Sequence, residues 1–243
     1  MREILEDAVL LAWREAESLL LLVVPVIIIS PVLIIVAGSG LIAGLVTVPI
    51  FVLLYLLSYA LCIRGAGSLL ENVAPEPLPV LLDVVTDLPS YLRIMAPAGF
   101  VLAVSAACSL VAGDQGFGLI ALAIGFLGVA AAAWWQVRHA YEPALVLLHG
   151  TSADDAQEVG PYLADATRAT TAPLVAAVTG PALVALLLSW GIGAATGPAL
   201  GAIVLAIAVA LWLPFAAAIF AVACDRLINE VDPARQSARA VAG

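Results

Sequence analysis

The chain has no lysine, so its nine arginines carry all of its fixed positive charge, and charged residues of any kind are few. They make up 11% of the 243 residues, whereas a soluble domain has roughly 25%. Hydrophobic residues make up 64%, and the mean hydropathy is +1.14. This composition excludes a soluble globular domain and indicates a polytopic membrane protein.

Other absences exclude several kinds of chemistry. Without lysine no Schiff-base cofactor can be attached, and no phosphate-binding GxxxxGK[ST] loop occurs. The three cysteines, Cys62, Cys108 and Cys224, lie too far apart in sequence for a CxxC metal motif, and we expect all three to be reduced, buried hydrophobes. We therefore predict no catalytic, cofactor-binding or metal-binding residues and no cofactor.

The arginines divide the loops between apolar runs into two kinds. Short turns near 38–40, 113–116 and 191–197 have none. The other loops and the termini carry Arg2, Arg14, Arg64, Arg93, Arg138, Arg168, Arg226, Arg235 and Arg239. Because arginine in short loops stays on the cytoplasmic side, we predict a plasma-membrane protein with both termini in the cytoplasm.

Six apolar runs are long enough to cross a bilayer, which takes about 20 helical residues. They cover 19–37, 41–63, 94–112, 117–137, 173–190 and 198–222. Within each successive pair the outer turn is only a few residues long. The sequence therefore predicts an all-α bundle of six transmembrane helices, arranged as three hairpins.

The three hairpins share a layout that indicates a repeat within a single transmembrane domain. Each unit begins with an amphipathic segment and closes with an arginine, and the units cover about 1–64, 78–138 and 153–226. The opening segments are Arg2–Glu17, Leu78–Arg93 and Ala153–Thr170. Such segments usually lie along the membrane surface, so we expect three interfacial helices.

One polar cluster at the predicted cytoplasmic interface is a candidate site. It comprises Arg138, His139, Tyr141, Glu142, Asp225 and Arg226. His139 and Glu142 can share a helix face, but no further ligands are spaced for a metal. A structural role is favoured over catalysis, with Glu142 paired to Arg138 four residues earlier, Tyr141 at headgroup depth, and Asp225 paired to an arginine of another unit.

Two segments resemble a known group of membrane proteins. Tyr141 to Ala156, YEPALVLLHGTSADDA, has an aromatic residue and proline, an apolar run, a glycine and a polar cap before an amphipathic helix. The end from Leu213 to Leu227 is similar to the last span of that group, although Cys224 replaces an aromatic residue and Arg226 precedes leucine. The group includes the membrane domain of some glycerophosphoryl diester phosphodiesterases. Since no soluble phosphodiesterase domain is found here, the resemblance implies a membrane module without hydrolase activity.

Three functions follow as hypotheses. The leading one is a scaffold or accessory module that organises a partner protein or the bilayer. The alternative is a carrier or channel component for a neutral or apolar solute, because the spans lack the charged residues of ion-coupled transporters. A lipid enzyme would require His139, Glu142, Asp225 or arginines to converge in one pocket.

The net charge of −9 bears on the partners of the chain. It counts against nucleic acid and against a polybasic lipid-binding patch, so we expect membrane lipids and a membrane protein as partners. The excess of acid without lysine indicates a prokaryote from a high-salt habitat or, alternatively, a GC-rich genome.

Overall fold

A computed structural model describes residues 2–231 of the chain, and Arg235 and Arg239 lie outside this range. Within it the chain is helical and has no β-strand, which confirms the predicted all-α class. The helices are α1 (Arg2–Arg14), α2 (Ala16–Ala37), α3 (Leu41–Leu70), α4 (Pro77–Asp114), α5 (Gly118–His139), α6 (Glu142–His149), α7 (Ala153–Ala166), α8 (Arg168–Thr196) and α9 (Pro198–Val231).

Six of these helices, α2, α3, α4, α5, α8 and α9, are long and apolar enough to cross a membrane, so the protein is a multi-pass membrane protein. They form the three predicted hairpins, α2–α3, α4–α5 and α8–α9. Each hairpin closes through a short turn that contains a glycine with positive φ: Gly40, Gly116 or Gly197. We call the bundle end with these turns the short-turn end, and the end with α1, α6 and α7 the arginine end.

Two of the three predicted amphipathic segments are separate helices, and the third is not. α1 is separated from α2 at Glu15, and α7 is separated from α8 at Thr167. The segment 78–93 instead forms the first turns of α4, which continues through Pro89 and Pro97 into the span. No glycine or helix cap interrupts this segment, so the helix has no reason to end before the apolar run.

The core lies at the arginine end, around the last part of α9. Residues 216–224 of α9 are buried and consist mainly of alanine with Ile219 and Phe220. α9 contacts α1, α2, α3, α6 and α8. Small alanine side chains allow the neighbouring helices to approach α9 closely, which makes it the centre of the bundle.

Helix α6 is the element that the sequence analysis missed. It lies in a stretch that was expected to connect two hairpins, yet Glu142 to Leu147 are all buried. The helix contacts α3, α4, α7 and α9, and so fills the space between the hairpins. It ends at Gly150, whose left-handed φ of 63° caps its C-terminus.

The cysteines differ from the prediction at one position. Cys62 and Cys224 are buried, as expected, whereas Cys108 is exposed. Cys108 lies on α4 in the part of the bundle near the short turns, where no α4 side chain from Val101 to Asp114 is buried. Apolar side chains on that outer surface contact lipid, so burial inside the protein is not needed there.

The α8–α9 hairpin is tight because two glycines face each other. A methyl group on Gly201 would collide with the backbone carbonyl oxygen of Ser189 and with the backbone of Gly193. The Ser189 hydroxyl donates a hydrogen bond of 2.7 Å to the Gly201 carbonyl oxygen. The close approach of the two backbones therefore depends on the missing side chain of Gly201.

We expect Gly201→Ala to lower the free energy of unfolding by about 1–3 kcal/mol, because the added methyl group meets rigid backbone. The control is Gly180→Ala in α8, where an added methyl group meets nothing within 4 Å. Alanine has the higher helix propensity, so the control is neutral or stabilising. Unfolding in mixed micelles measures both variants, and equal effects would contradict this packing.

Candidate functional site

The six residues of the predicted polar cluster do not form one site. They separate into a buried pair, a buried hydroxyl contact and a cross-bundle ion pair, while Asp225 lines a cavity. Arg138 is exposed at the end of α5, and the structure describes no ion pair between it and Glu142. The expected pairing is wrong because the helix ends at His139, and the turn at Ala140 and Tyr141 removes the four-residue helical spacing.

Glu142 is paired with His139 instead. The distance from His139 Nδ1 to Glu142 Oε1 is 2.5 Å, and the Glu142 side chain is only 1% exposed. The His139 ring stacks on Trp135 with a centroid separation of 4.4 Å. On the other side, Gly160 of α7 lies directly against the side chain of Glu142. The pair therefore joins α5, α6 and α7 at one point.

Burial determines the protonation chemistry of this pair. It raises the pKa of Glu142 above its ordinary value, and the hydrogen bond and charge of His139 oppose that rise without cancelling it. A carboxyl group with a raised pKa binds its proton more tightly in the folded state than in the unfolded state. The folded protein therefore accommodates the protonated, neutral form of Glu142 better than the unfolded chain does.

Tyr141 is not at headgroup depth, as expected from the sequence, but is fully buried. Its hydroxyl oxygen lies 2.8 Å from Thr171 Oγ1, and Thr171 Oγ1 lies 3.0 Å from Thr167 Oγ1. A buried tyrosine needs a partner for its hydroxyl group, and the start of α8 supplies it. This contact fixes the beginning of α6 to the third hairpin.

Asp225 of α9 lies near the C-terminal end of α6, where it lines a cavity of about 190 Å³. We call this space the polar cavity, and its walls are Arg64, Gly67, Leu70, Glu71, Leu148, His149, Asp225 and Asn229. Asn229 Nδ2 donates a hydrogen bond of 3.1 Å to Asp225 Oδ2. The cavity therefore brings together the ends of α3, α6 and α9.

Arg64 is the most connected residue of this region. Its Nε and one terminal nitrogen donate to Asp83 Oδ2 at 3.1 and 2.8 Å, and the other terminal nitrogen donates to the Leu147 carbonyl oxygen at 2.9 Å. It thus connects α3 to the first turns of α4 and to the end of α6. The sequence marked Arg64 only as a topology signal, because its two acceptors, Asp83 and Leu147, lie 19 and 83 residues away in the chain.

Ion pairs also connect successive hairpin units. Arg93 of the second unit contacts Asp154 of α7 at 2.7 Å. Arg226 of α9 binds Asp7 of α1 and lies 3.6 Å from Glu3. Arg226 therefore pairs across units, and the pairing of Asp225 with an arginine of another unit stays a prediction. Exposed pairs contribute only about 0–1 kcal/mol each, so they set the alignment of the helices more than their stability.

No family model, curated protein or solved structure matches the chain. The resemblance to the membrane domain of the phosphodiesterases therefore stays a prediction. Among residues 2–231, no three His, Cys, Asp or Glu side chains are grouped so that they could hold a metal ion.

We expect Glu142→Gln to flatten the pH dependence of stability. Because the folded pKa of Glu142 is raised, its stabilising contribution is present below the unfolded value of about 4.3 and is lost as pH rises through the folded pKa. Glutamine keeps an oxygen for His139 Nδ1 but cannot ionise. The measurement is the free energy of unfolding in nanodiscs from pH 4 to 8.

The matched control is Glu158→Gln, which removes one exposed carboxylate from α7. In Glu158→Gln the free energy of unfolding should still fall, as in the wild type, when the pH rises above the unfolded pKa of Glu142. If the wild type and Glu142→Gln gave parallel pH profiles, the burial of this carboxyl group would not be coupled to folding.

Proposed function

We propose that the protein is a non-enzymatic membrane scaffold or accessory subunit that holds a partner protein at its arginine end. The observation that carries the proposal is the construction of that end. α4, α6 and α7 pack against one another at this end, and α1 packs against α9. We call these helices the layer, and ion pairs connect it to all three hairpins. A layer of this kind presents a surface of constant shape, as a scaffold requires.

The orientation is part of the proposal. Every arginine from Arg2 to Arg226 lies in the part of the chain that forms the arginine end, and so does every acidic residue from Glu3 to Asp225 except Asp114. Arginine in short loops favours the cytoplasmic side. We infer that the arginine end faces the cytoplasm of a cell with this protein in its plasma membrane.

The same layer exposes large apolar side chains. Trp13 on α1 and Tyr162 on α7 are 75% and 74% exposed, and Leu78 and Leu82 on α4 are also exposed. Isolated exposed apolar residues are ordinary, but aromatic anchors on amphipathic helices mark contact with headgroups or with a partner. Both α1 and α7 lead directly into a span, at Glu15 and at Thr167, and we propose that Tyr162 contacts a protein partner there.

The packing of the interior counts against a carrier for a neutral polar solute. Most buried side chains of α2, α3 and α9 are apolar, and they include Leu19, Val23, Ile63 and Phe220. The buried polar side chains of α2 and α3 are the single hydroxyl groups of Ser30, Thr47 and Ser58 and the phenol of Tyr59. A path for a neutral polar solute needs a polar or water-lined space between the hairpins. The polar cavity lies at the arginine end of these helices and not between the hairpins at mid-span.

The positions of the candidate residues also count against a lipid enzyme. His139 at the end of α5 pairs with Glu142 at the first turn of α6, whereas Asp225 of α9 lines the polar cavity with His149 at the last turn of α6. A helix of eight residues separates its ends by about 10 Å, so these groups cannot act on one reacting bond. The convergence that such an enzyme requires is therefore missing among these residues.

A photo-crosslinking amino acid at Tyr162 tests the scaffold function in native membranes. We expect a covalent adduct with one protein, in stoichiometric amounts, because Tyr162 faces outward from the rigid layer. The control carries the same cross-linker at Phe117, which is aromatic and 54% exposed but lies at the short-turn end. Adducts with lipid alone from both positions would contradict a protein scaffold.

A further inference from the structure

We propose that the outer face of α5 binds an anionic phospholipid, whose phosphate group contacts Arg138 at the arginine end. The proposal goes beyond the scaffold function and does not depend on it. The outer face is one side of the helix, on which exposed residues recur every three or four positions. Its residues are Ala123, Leu127, Ala130, Ala131, Trp134 and Arg138.

Arg138 differs from most arginines of the protein because no carboxylate neutralises it. The arginines that form ion pairs with acidic side chains are Arg2, Arg14, Arg64, Arg93 and Arg226. Among the side chains that the structure describes, Arg138 and Arg168 form no such pair, and both are exposed. Glu142, four residues after Arg138, is buried and paired with His139 instead. Since a guanidinium group does not lose its proton, Arg138 keeps a positive charge that an anion can neutralise.

The exposure of α5 indicates that lipid surrounds Arg138. Only 6% of the most apolar stretch of α5 is buried inside the protein, whereas the other five spans have between 17% and 44% buried. An exposed apolar face of a membrane span is in contact with acyl chains. A phospholipid that lies along the outer face therefore has its headgroup at the level of the helix end, where Arg138 is located.

Trp134 places Arg138 at the depth of the phosphate groups. Its side chain is 76% exposed, and it lies one helical turn before Arg138 on the same face. Exposed tryptophan side chains are typical of the boundary between acyl chains and headgroups. A guanidinium group just beyond that boundary can donate two parallel N–H bonds to a phosphate group. A protein partner would have to supply a carboxylate at this depth, whereas a bilayer has phosphate there at every position.

Arg168 adds a second unpaired positive charge at the same end of the bundle. It is the first residue of α8, which is a neighbour of α5 because Leu186 of α8 lies against Gly125 of α5. Asp165 lies three residues earlier in α7, on the other side of the helix break at Thr167, and the structure describes no ion pair between it and Arg168. Two unpaired arginines favour a headgroup with a net negative charge over a zwitterionic headgroup.

The test compares two lipids that differ in net charge. The whole chain is placed in membranes with equal amounts of phosphatidylglycerol and phosphatidylcholine that have the same acyl chains. It is then extracted in mild detergent, and mass spectrometry counts the phospholipids that each protein retains. The variant is Arg138→Gln, and the control is Arg2→Gln, which removes an exposed arginine that Glu6 already neutralises at 2.7 Å. Both changes affect exposed side chains, and an unchanged Tm verifies the fold of each variant.

We expect the wild type to retain phosphatidylglycerol in preference to phosphatidylcholine. Arg138→Gln should lower this preference by about fivefold, and Arg2→Gln should leave it unchanged. Arg138→Lys keeps the charge without the paired N–H donors, so it should keep part of the preference.

The proposal is overturned if the wild type retains both lipids equally, or if Arg138→Gln and Arg2→Gln have the same effect. Displacement of the lipid by millimolar glycerol phosphate would also overturn it, because the site would then take a free phosphate group. So would a photo-crosslinker at Leu127 that captures a protein in place of lipid. None of these results depends on cross-linking from Tyr162, which tests the scaffold function separately.

Discussion

Burial of α6 between the three hairpins is the constraint on which the arginine end depends. Lipid is as apolar as the outer faces of the spans, so the hydrophobic effect does little to bring membrane helices together. Water can reach the arginine end, and there each buried leucine or valine contributes about 1.5–3 kcal/mol. Leu145, Val146 and Leu147 are buried against helices from all three hairpins. One short helix can therefore hold the three hairpins together at the arginine end.

The same helix carries the most costly group of the protein. Burying a carboxylate without a partner is expensive, and Glu142 is almost fully buried. His139 offsets that cost with a short hydrogen bond, and Gly160 makes space for the side chain by having none of its own. A pair of this kind adds little net stability compared with apolar residues, but it allows only one arrangement of α5, α6 and α7. Glu142 thus aligns the layer that the apolar residues of α6 hold together.

Much of the fold was predictable because its signals are long and repeated. Runs of about 20 apolar residues predict spans, and the three hairpins and the all-α class follow from them. α6 was missed because its apolar run of six residues is too short for a span. From the sequence alone, such a short run also cannot be distinguished from a connecting loop, because its burial depends on the helices that pack around it. The segment from Leu78 was expected to be a separate interfacial helix, but it forms the start of α4. An amphipathic segment and a span can form one continuous helix.

The candidate site was predictable only in part. The contact between His139 and Glu142 could be anticipated from their spacing of three residues, whereas the break after His139 that excludes Arg138 depends on the path of α6. The polar cavity unites residues from three helices that lie far apart in sequence, so no local pattern indicates it. Gly160, in the middle of an amphipathic helix, was a usable signal of close approach, although its partner could not be named.

Hydrogen–deuterium exchange of the full-length protein in nanodiscs tests the central role of α6 most directly. If α6 is a core element, the amides of Leu145 to Leu147 should exchange as slowly as those of the buried part of α9 and much more slowly than those of α7. Exchange of α6 at the rate of α7 would show that it lies on the surface as an ordinary connection. That result would contradict the account of how the arginine end is held together.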